Sequence, residues 1–239
     1  MISKTASKLG IDLFSLQMKW AMWFLPIIFI LYLGVLWFLP DADVNEMSFL
    51  SFAFEPAKIF MLVCGIISVF AFLSYYVRQG ITRKDYFKGT GIAAVGMAIV
   101  MMIIIAIVAA ILFFIGSYVN FLSDINTSTF LNTQSDWFIP VIAFSLILTS
   151  YYVAGWLIGV GFYRYGGWGG MGFIAIALVF TTLTDVLWEA EASHPWASWL
   201  NLNMSQLAIP ISFIGALIFI SIGLWIIRAT TKRIPIKVE

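Results

Sequence analysis

Six long apolar runs divide the chain and constrain its fold more than any motif does. A hydrocarbon core about 30 Å thick is crossed by roughly 20 apolar residues in a helix, and each run is near that length. Only 10% of the 239 residues are charged, which is too little to cover a water-exposed surface. The sequence therefore predicts an all-α integral membrane protein, one domain over residues 1–239 with six transmembrane helices. The predicted spans are residues 20–39, 57–77, 91–115, 138–161, 171–187 and 207–228.

The lysine and arginine residues lie in alternate connections between these runs. Cytoplasmic loops retain positive charge, so this distribution sets the orientation. With a cytoplasmic N-terminus, each of the 13 basic residues except Lys58 falls on the cytoplasmic side, and we expect both termini there. Lys58 lies at the outer end of the second run, three residues after Glu55. That is the spacing of helical neighbours, so we expect a local ion pair.

Residues 1–19 show helical periodicity ahead of the first run. Apolar residues recur at steps of three and four, and charged residues collect on another face. The pattern predicts an amphipathic helix on the cytoplasmic leaflet, with a bend at Gly10. The alternative is a simple basic flank attracted to anionic lipid. The apolar stripe comprises Ile2, Ala6, Leu9, Leu13, Leu16 and Trp20.

Glycines cluster between the fourth and fifth runs. They do not fit a dinucleotide-binding fingerprint, which would follow a strand. We interpret them as a tight cytoplasmic turn, with close helix packing as the alternative. The cluster is Gly166, Gly167, Gly169 and Gly170.

Residues that could support catalysis are few. His194 is the only histidine, which excludes a site with two imidazoles, and no Walker A pattern for ATP binding occurs. Asp185, near the outer end of the fifth run, is the one acid that could lie inside the membrane, where charges are retained for a function. It is the only support for an ion-driven mechanism. We expect no catalytic residue, metal or cofactor on this chain, and the net charge of +1 gives no indication of nucleic-acid binding.

A polar segment rich in tryptophan separates the fifth and sixth runs on the outer side. Glu189, Glu191 and His194 are close enough in sequence to bind a metal ion. The preferred interpretation is an interfacial segment, because tryptophan concentrates at membrane surfaces. Its tryptophans are Trp188, Trp196 and Trp199.

The connection between the second and third runs reads YYVRQGITRKDYFKGTG. Gly80 permits a sharp turn, and Thr82 with Asp85 three residues later forms a variant of the capping box, which predicts a helix beginning directly after Thr82. Ile81 and Tyr86 are placed for a hydrophobic staple across that helix start. The alternative is a basic loop that only fixes topology. A turn, a cap and a staple together favour a structured cytoplasmic element.

The stretch RQGITRKDYFKG, residues 78–89, resembles the loop, roughly G-x-[ST]-R-x-x-[FY]-[FY]-x-G, of membrane subunits of ABC transporters of the type-2 exporter class. The plan of six spans after an amphipathic segment is similar too. The resemblance implies a permease in the bacterial plasma membrane that pairs with a second permease, as a homodimer or heterodimer. It also implies separate cytoplasmic ABC ATPase subunits, which would bind ATP and magnesium and drive alternating access.

The resemblance assigns roles to the loop, which would form a coupling helix that docks on the ATPase. Gly80 and Ile81 would shape the turn, and Thr82 and Asp85 would cap the helix. The amphipathic segment would be a second contact, and residues 188–206 would form short re-entrant helices that close the exit. The remaining roles are ATPase contact for Arg83 and Lys84 and anchoring at the membrane surface for Tyr86 and Phe87.

The substrate is indicated only by the composition of the spans. They are rich in Phe, Ile and Met, which favours a hydrophobic or amphipathic cargo such as an antimicrobial peptide, a drug or a lipid. The competing interpretation is a protein without an ATPase: a stand-alone six-helix ion-coupled carrier, or an immunity or scaffolding protein. An enzyme ranks third.

Overall fold

The computed structural model describes residues 3–38, 49–116, 138–189 and 209–232. These residues are helical apart from Ser3, residues 79–82 and Lys232. The described chain is therefore all-helical, as predicted, and five of its helices are long and apolar enough to cross a membrane. They are α1 (Lys4–Phe38), α2 (Phe49–Arg78), α3 (Arg83–Gly116), α4 (Phe138–Glu189) and α5 (Ile209–Thr231).

The longest helical element, α4, is not straight. Gly166 has φ 72° and ψ −160°, a backbone conformation that glycine adopts without steric cost. The Tyr151 hydroxyl donates to Asp185, 34 residues later, whereas a straight helix would hold these residues about 50 Å apart. The element is therefore a hairpin of two antiparallel arms, residues 138–165 and 167–189. The predicted turn in the glycine cluster is confirmed, and the arms correspond to the predicted fourth and fifth spans.

The N-terminal segment differs from the prediction. It is not a separate helix, because α1 runs without interruption from Lys4 to Phe38. The buried side of α1 continues through both halves, from Ala6 to Leu36, and the helix packs mainly on α3. The helix continues through Gly10, which lies against the backbone of Gly89 on α3. The apolar stripe is thus partly covered by protein, since Ala6, Leu9 and Leu13 are buried there.

Helix α2 packs mainly on α4, and the two backbones approach closely. Gly65 lies against the carbonyl of Tyr152, and Gly155 lies against that of Leu62, with no room for a Cβ at either glycine. Small residues allow such backbone contact between membrane helices. Within α2, Phe49–Ile67 and Ser74–Arg78 are α-helical and Ser68–Leu73 is π-helical. Widened turns of this kind are frequent at functional sites.

Several chain segments meet at one end of the helix bundle. The Ser3 hydroxyl bonds to Asp85 after the turn at residues 79–82. Arg164, beside the reversal of α4, donates to the Thr230 carbonyl at the end of α5, at 2.6 Å. We call this the basic end, because the predicted cytoplasmic lysines and arginines of the described residues, apart from Lys19, lie near it in sequence. The other end of the bundle is called the outer end.

Candidate functional site

The glycine turn and the helix cap at the basic end have the predicted structure. Gly80 has φ 86°, and the Thr82 hydroxyl oxygen accepts from the Asp85 amide at 3.1 Å. Helix α3 begins at Arg83, as the capping pattern predicts. One detail differs: the Asp85 carboxylate accepts from the Thr82 hydroxyl, at 2.7 Å, where the usual capping box accepts from a backbone amide.

Asp85 also joins the starts of two helices. Its carboxylate accepts a second hydrogen bond from the Ser3 hydroxyl, and the Ser3 oxygen accepts from the Ala6 amide at 3.1 Å. Ser3 therefore caps α1 as Thr82 caps α3. Asp85 precedes the predicted membrane span, and the hydroxyls of Ser3 and Thr82 hold the pKa of its carboxyl below its usual range. The carboxylate is charged at neutral pH and fixes the α1 start against the α3 start.

Tyr86 lies inside the bundle, whereas an anchor at the membrane surface was expected. Its side chain is 1% exposed, and its hydroxyl donates to the carbonyl of Ser68 at the start of the π-helical segment of α2. The packing of α3 explains this, because it turns position 86 of the helix towards α2. The neighbouring side chain, Phe87, is half-buried with its ring 5.4 Å from that of Trp156.

The two basic residues expected to contact an ATPase differ in exposure. Arg83 is half-buried and donates to the Lys232 carbonyl at 3.4 Å. Arg228 of α5 donates in turn to the Arg83 carbonyl at 3.5 Å. Lys84 is exposed. Arg83 thus helps to hold the end of α5, and of these two residues Lys84 is the one open to another molecule.

A second polar group lies towards the outer end, and we call it the charge cluster: Glu55, Lys58, Tyr151 and Asp185. The Lys58 ammonium is 2.7 Å from Glu55 and 3.9 Å from Asp185. The Tyr151 hydroxyl lies 2.9 Å from each carboxylate oxygen of Asp185. The predicted Lys58–Glu55 pair is therefore confirmed, and Asp185 joins it in the protein interior.

Exposure differs strongly within the charge cluster. The side chains of Lys58 and Asp185 are 2% and 0% exposed, whereas that of Glu55 is 63% exposed. The Lys58 ammonium also lies 4.9 Å from the Phe54 ring centre, an aromatic face that attracts cations. A charge inside a membrane costs at least about 2.5 kcal/mol, so these contacts are what make the interior position of Lys58 tolerable. Lys58 is shared between a buried and an exposed carboxylate.

The sequence did not indicate that Lys58 and Asp185 meet, or that Tyr151 joins them. A signal was available, because apart from Arg228 at the end of the last run they are the only charged residues within the six predicted spans. Opposite charges inside a membrane usually pair. No comparable feature of the sequence indicated that Tyr151 would bond to Asp185.

The segment expected to close the exit, residues 188–206, is only partly described. Trp188 is 7% exposed, and its ring packs edge-on against Phe213 with centroids 5.1 Å apart. Glu189 is the last residue of α4. The other members of the predicted segment lie outside the described residues: Glu191, His194, Trp196 and Trp199.

Comparison with known proteins adds no family. No family model, no curated protein and no solved structure matches this chain. The resemblance of residues 78–89 to ABC exporter permeases therefore stays a prediction, and function is inferred from the contacts at the two ends of α2.

Proposed function

We propose that this chain is the permease subunit of an ATP-driven exporter, with its basic end in the cytoplasm. The observation that carries the proposal is the capped turn, residues 79–85. Gly80, Thr82, Asp85 and Ser3 hold the turn in one conformation, and Lys84 is exposed beside it. A loop that only fixed topology would need the positive charge but not this ordered geometry.

The proposed topology has six crossings and two cytoplasmic ends. The antiparallel arms of α4 supply two crossings, and the other four helices supply one each. Ser3 bonds to Asp85 beside the turn at residues 79–82, and Thr230 bonds to Arg164 beside the turn at Gly166. The first and last described residues therefore lie at the same end of the bundle as these two turns. In this orientation the basic residues near both turns face the cytoplasm, as positive charge does in membrane proteins.

The capped turn is connected to the membrane interior by two routes. Asp85 belongs to α3, a helix of 34 residues, so a force on the turn acts on a rod about 50 Å long. Tyr86, one residue later, bonds to Ser68 in the π-helical part of α2. A partner that pushes on the turn therefore moves α3 and α2 together. Closing of separate ATPase subunits on ATP and magnesium would drive alternating access in this way.

The remaining parts of the proposal follow the family resemblance. A second permease, identical or related, would complete the transport pathway, and the bilayer would surround the pair. The apolar spans support a hydrophobic or amphipathic substrate, namely a peptide, drug or lipid. Hydrolysis would take place on the ATPase, so the chain itself is a transport subunit and not an enzyme.

The test is to express this chain together with its neighbouring genes and to ask whether a P-loop ATPase co-purifies with it. Lys84→Glu reverses the charge of an exposed side chain beside the cap, and we expect normal membrane insertion with loss of ATPase association. Lys232→Glu is the matched control, because it makes the same charge change on an exposed residue at the end of α5. Equal ATPase recovery with wild type and Lys84→Glu would contradict the docking role.

A second candidate function is an ion-coupled carrier that needs no ATPase. The charge cluster favours it, because Asp185 and Lys58 are ionisable residues inside a predicted membrane domain, where such residues mark ion and substrate pathways. The same co-purification separates the two candidates. If no P-loop ATPase is recovered with the wild-type chain, the carrier becomes the better proposal.

A further inference from the structure

The charge cluster joins three helical segments that are distant in sequence. Lys58 belongs to α2, Tyr151 to the first arm of α4 and Asp185 to the second arm. The bond from Tyr151 to Asp185 lies within the α4 hairpin, and the pair of Lys58 with Glu55 lies within α2. Lys58 connects these two halves through Asp185, at 3.9 Å a longer contact than either, and through the Tyr151 ring, whose centre lies 5.6 Å from the ammonium.

This arrangement allows the two halves to separate. If α2 moved away from the second arm of α4, Lys58 would keep Glu55 and Asp185 would keep the Tyr151 hydroxyl. Removing the partner of a buried charge is normally very unfavourable. Here each charged group has a partner on its own helical element, so the contact between the elements is opened at a reduced cost.

The interior next to Asp185 is polar. Buried hydroxyl side chains lie within one helical turn of it on the second arm, and each bonds to a carbonyl of its own helix, so that separation of α2 would not break these bonds. Water enters a polar interior at lower cost than an apolar one. The hydroxyl residues are Thr181, Thr182 and Thr184.

We propose that Lys58 and Asp185 form a lock that closes the outer end of a path between α2 and the second arm of α4. In the closed state Lys58 bridges Asp185 and Glu55, and in the open state it stays with Glu55. This inference rests on the proposed transport function, for which an outward-open state is needed. The two carboxylates therefore have opposite effects: Asp185 holds the lock closed, and Glu55 competes for the lysine and favours opening.

The lock is tested by accessibility from the outside, without any ATPase. Cys64 is the only cysteine, and its replacement by Ala gives a background into which Thr182→Cys is introduced. Thr182 is 3% exposed and lies three residues, about 4.5 Å along the helix, nearer the basic end than Asp185. Labelling by a membrane-impermeant maleimide in intact cells reports whether the outer end is open.

We expect Asp185→Asn to raise the rate of labelling severalfold and Glu55→Gln to lower it below that of the parent. A structural ion pair with no gating role would not give effects of opposite sign from the two carboxylates. Effects of equal sign, or no change in either variant, would overturn the lock. If Asp185→Asn is lost from the membrane fraction, Glu55→Gln still tests the lock, because the Glu55 side chain is largely exposed. Unchanged labelling in Glu55→Gln would refute the competition between Glu55 and Asp185 for Lys58.

The result is independent of the docking test. Suppose that labelling does not change as expected in the two carboxylate variants, while Lys84→Glu loses the ATPase as expected. The lock would then be refuted, and the permease proposal would stand. If labelling changes as expected but Lys84→Glu keeps the ATPase, the protein has a gate that is not driven through the capped turn.

Discussion

The two ends of α2 hold polar side chains in different ways. At the basic end, Thr82 and Asp85 bond to each other in an exposed turn that follows the helix. Towards the outer end, Lys58 and Asp185 are buried and connect α2 to another helical element. An exposed bond contributes little free energy but selects one local conformation. A buried charge contributes little net stability when paired, yet leaves a large penalty when its partner is removed.

This difference separates two functions along one helix. The exposed turn presents a fixed shape to a molecule outside the bundle, which suits docking. The buried pair senses whether two parts of the bundle are in contact, which suits a change of state. Variants that remove one polar group at a time are expected to show a gradient of stability effects from the outer end to the basic end.

The largest effect is expected for Lys58→Met. It removes the positive charge beside Asp185, which keeps the hydrogen bond from the Tyr151 hydroxyl. Breaking a buried ion pair costs about 3–5 kcal/mol, and the remaining hydrogen bond places this variant towards the lower end of that range. The variant should unfold at a clearly lower temperature in detergent micelles. The double variant Lys58→Met with Asp185→Leu should recover most of the loss, because apolar side chains of similar volume often replace a buried ion pair without penalty. A double variant as unstable as the single one would show that the charges are not coupled.

Tyr86→Phe comes next in size. The change removes the hydroxyl that donates to the Ser68 carbonyl, and an unsatisfied buried acceptor costs about 1–3 kcal/mol. Tyr75→Phe is the control, since Tyr75 is 57% exposed on the same stretch of α2 and surface changes usually stay within about 0.5 kcal/mol. Thermal unfolding of both variants measures the difference. Equal midpoints would mean that the bond to the π-helical segment does not hold α2 and α3 together.

The sequence predicted contacts that depend on local spacing. The helix start at Arg83 and the pair of Lys58 with Glu55 are both set by residues three positions apart, so helical geometry alone is sufficient to place them. The reversal of α4 is also local, because Gly166 provides the required backbone conformation. None of these three predictions requires knowledge of how one helix is rotated relative to another.

The contacts that the sequence did not predict depend on packing between helices. Tyr86 turns inward because α3 lies beside the π-helical part of α2, and the meeting of Lys58 with Asp185 depends on the rotation of α4.

The sequence also placed a boundary between the amphipathic segment and the first span, between residues 19 and 20, because the apolar sequence begins there. A change in polarity does not end a helix, and no Pro or Gly follows Leu13 before Pro26, so α1 continues.

The smallest effect is expected for Thr82→Ala at the exposed cap. Loss of an N-cap side chain costs about 0.5–2 kcal/mol, typically near 1, and the loss should be confined to the first turn of α3. Hydrogen exchange should therefore accelerate at the Asp85 amide, which bonds to the Thr82 hydroxyl, while amides near the charge cluster keep their wild-type rates. Thr82→Ser retains the capping oxygen and should behave as wild type. Faster exchange around Lys58 in Thr82→Ala would show that the two ends of α2 are not energetically separate, and the docking turn would then act directly on the lock.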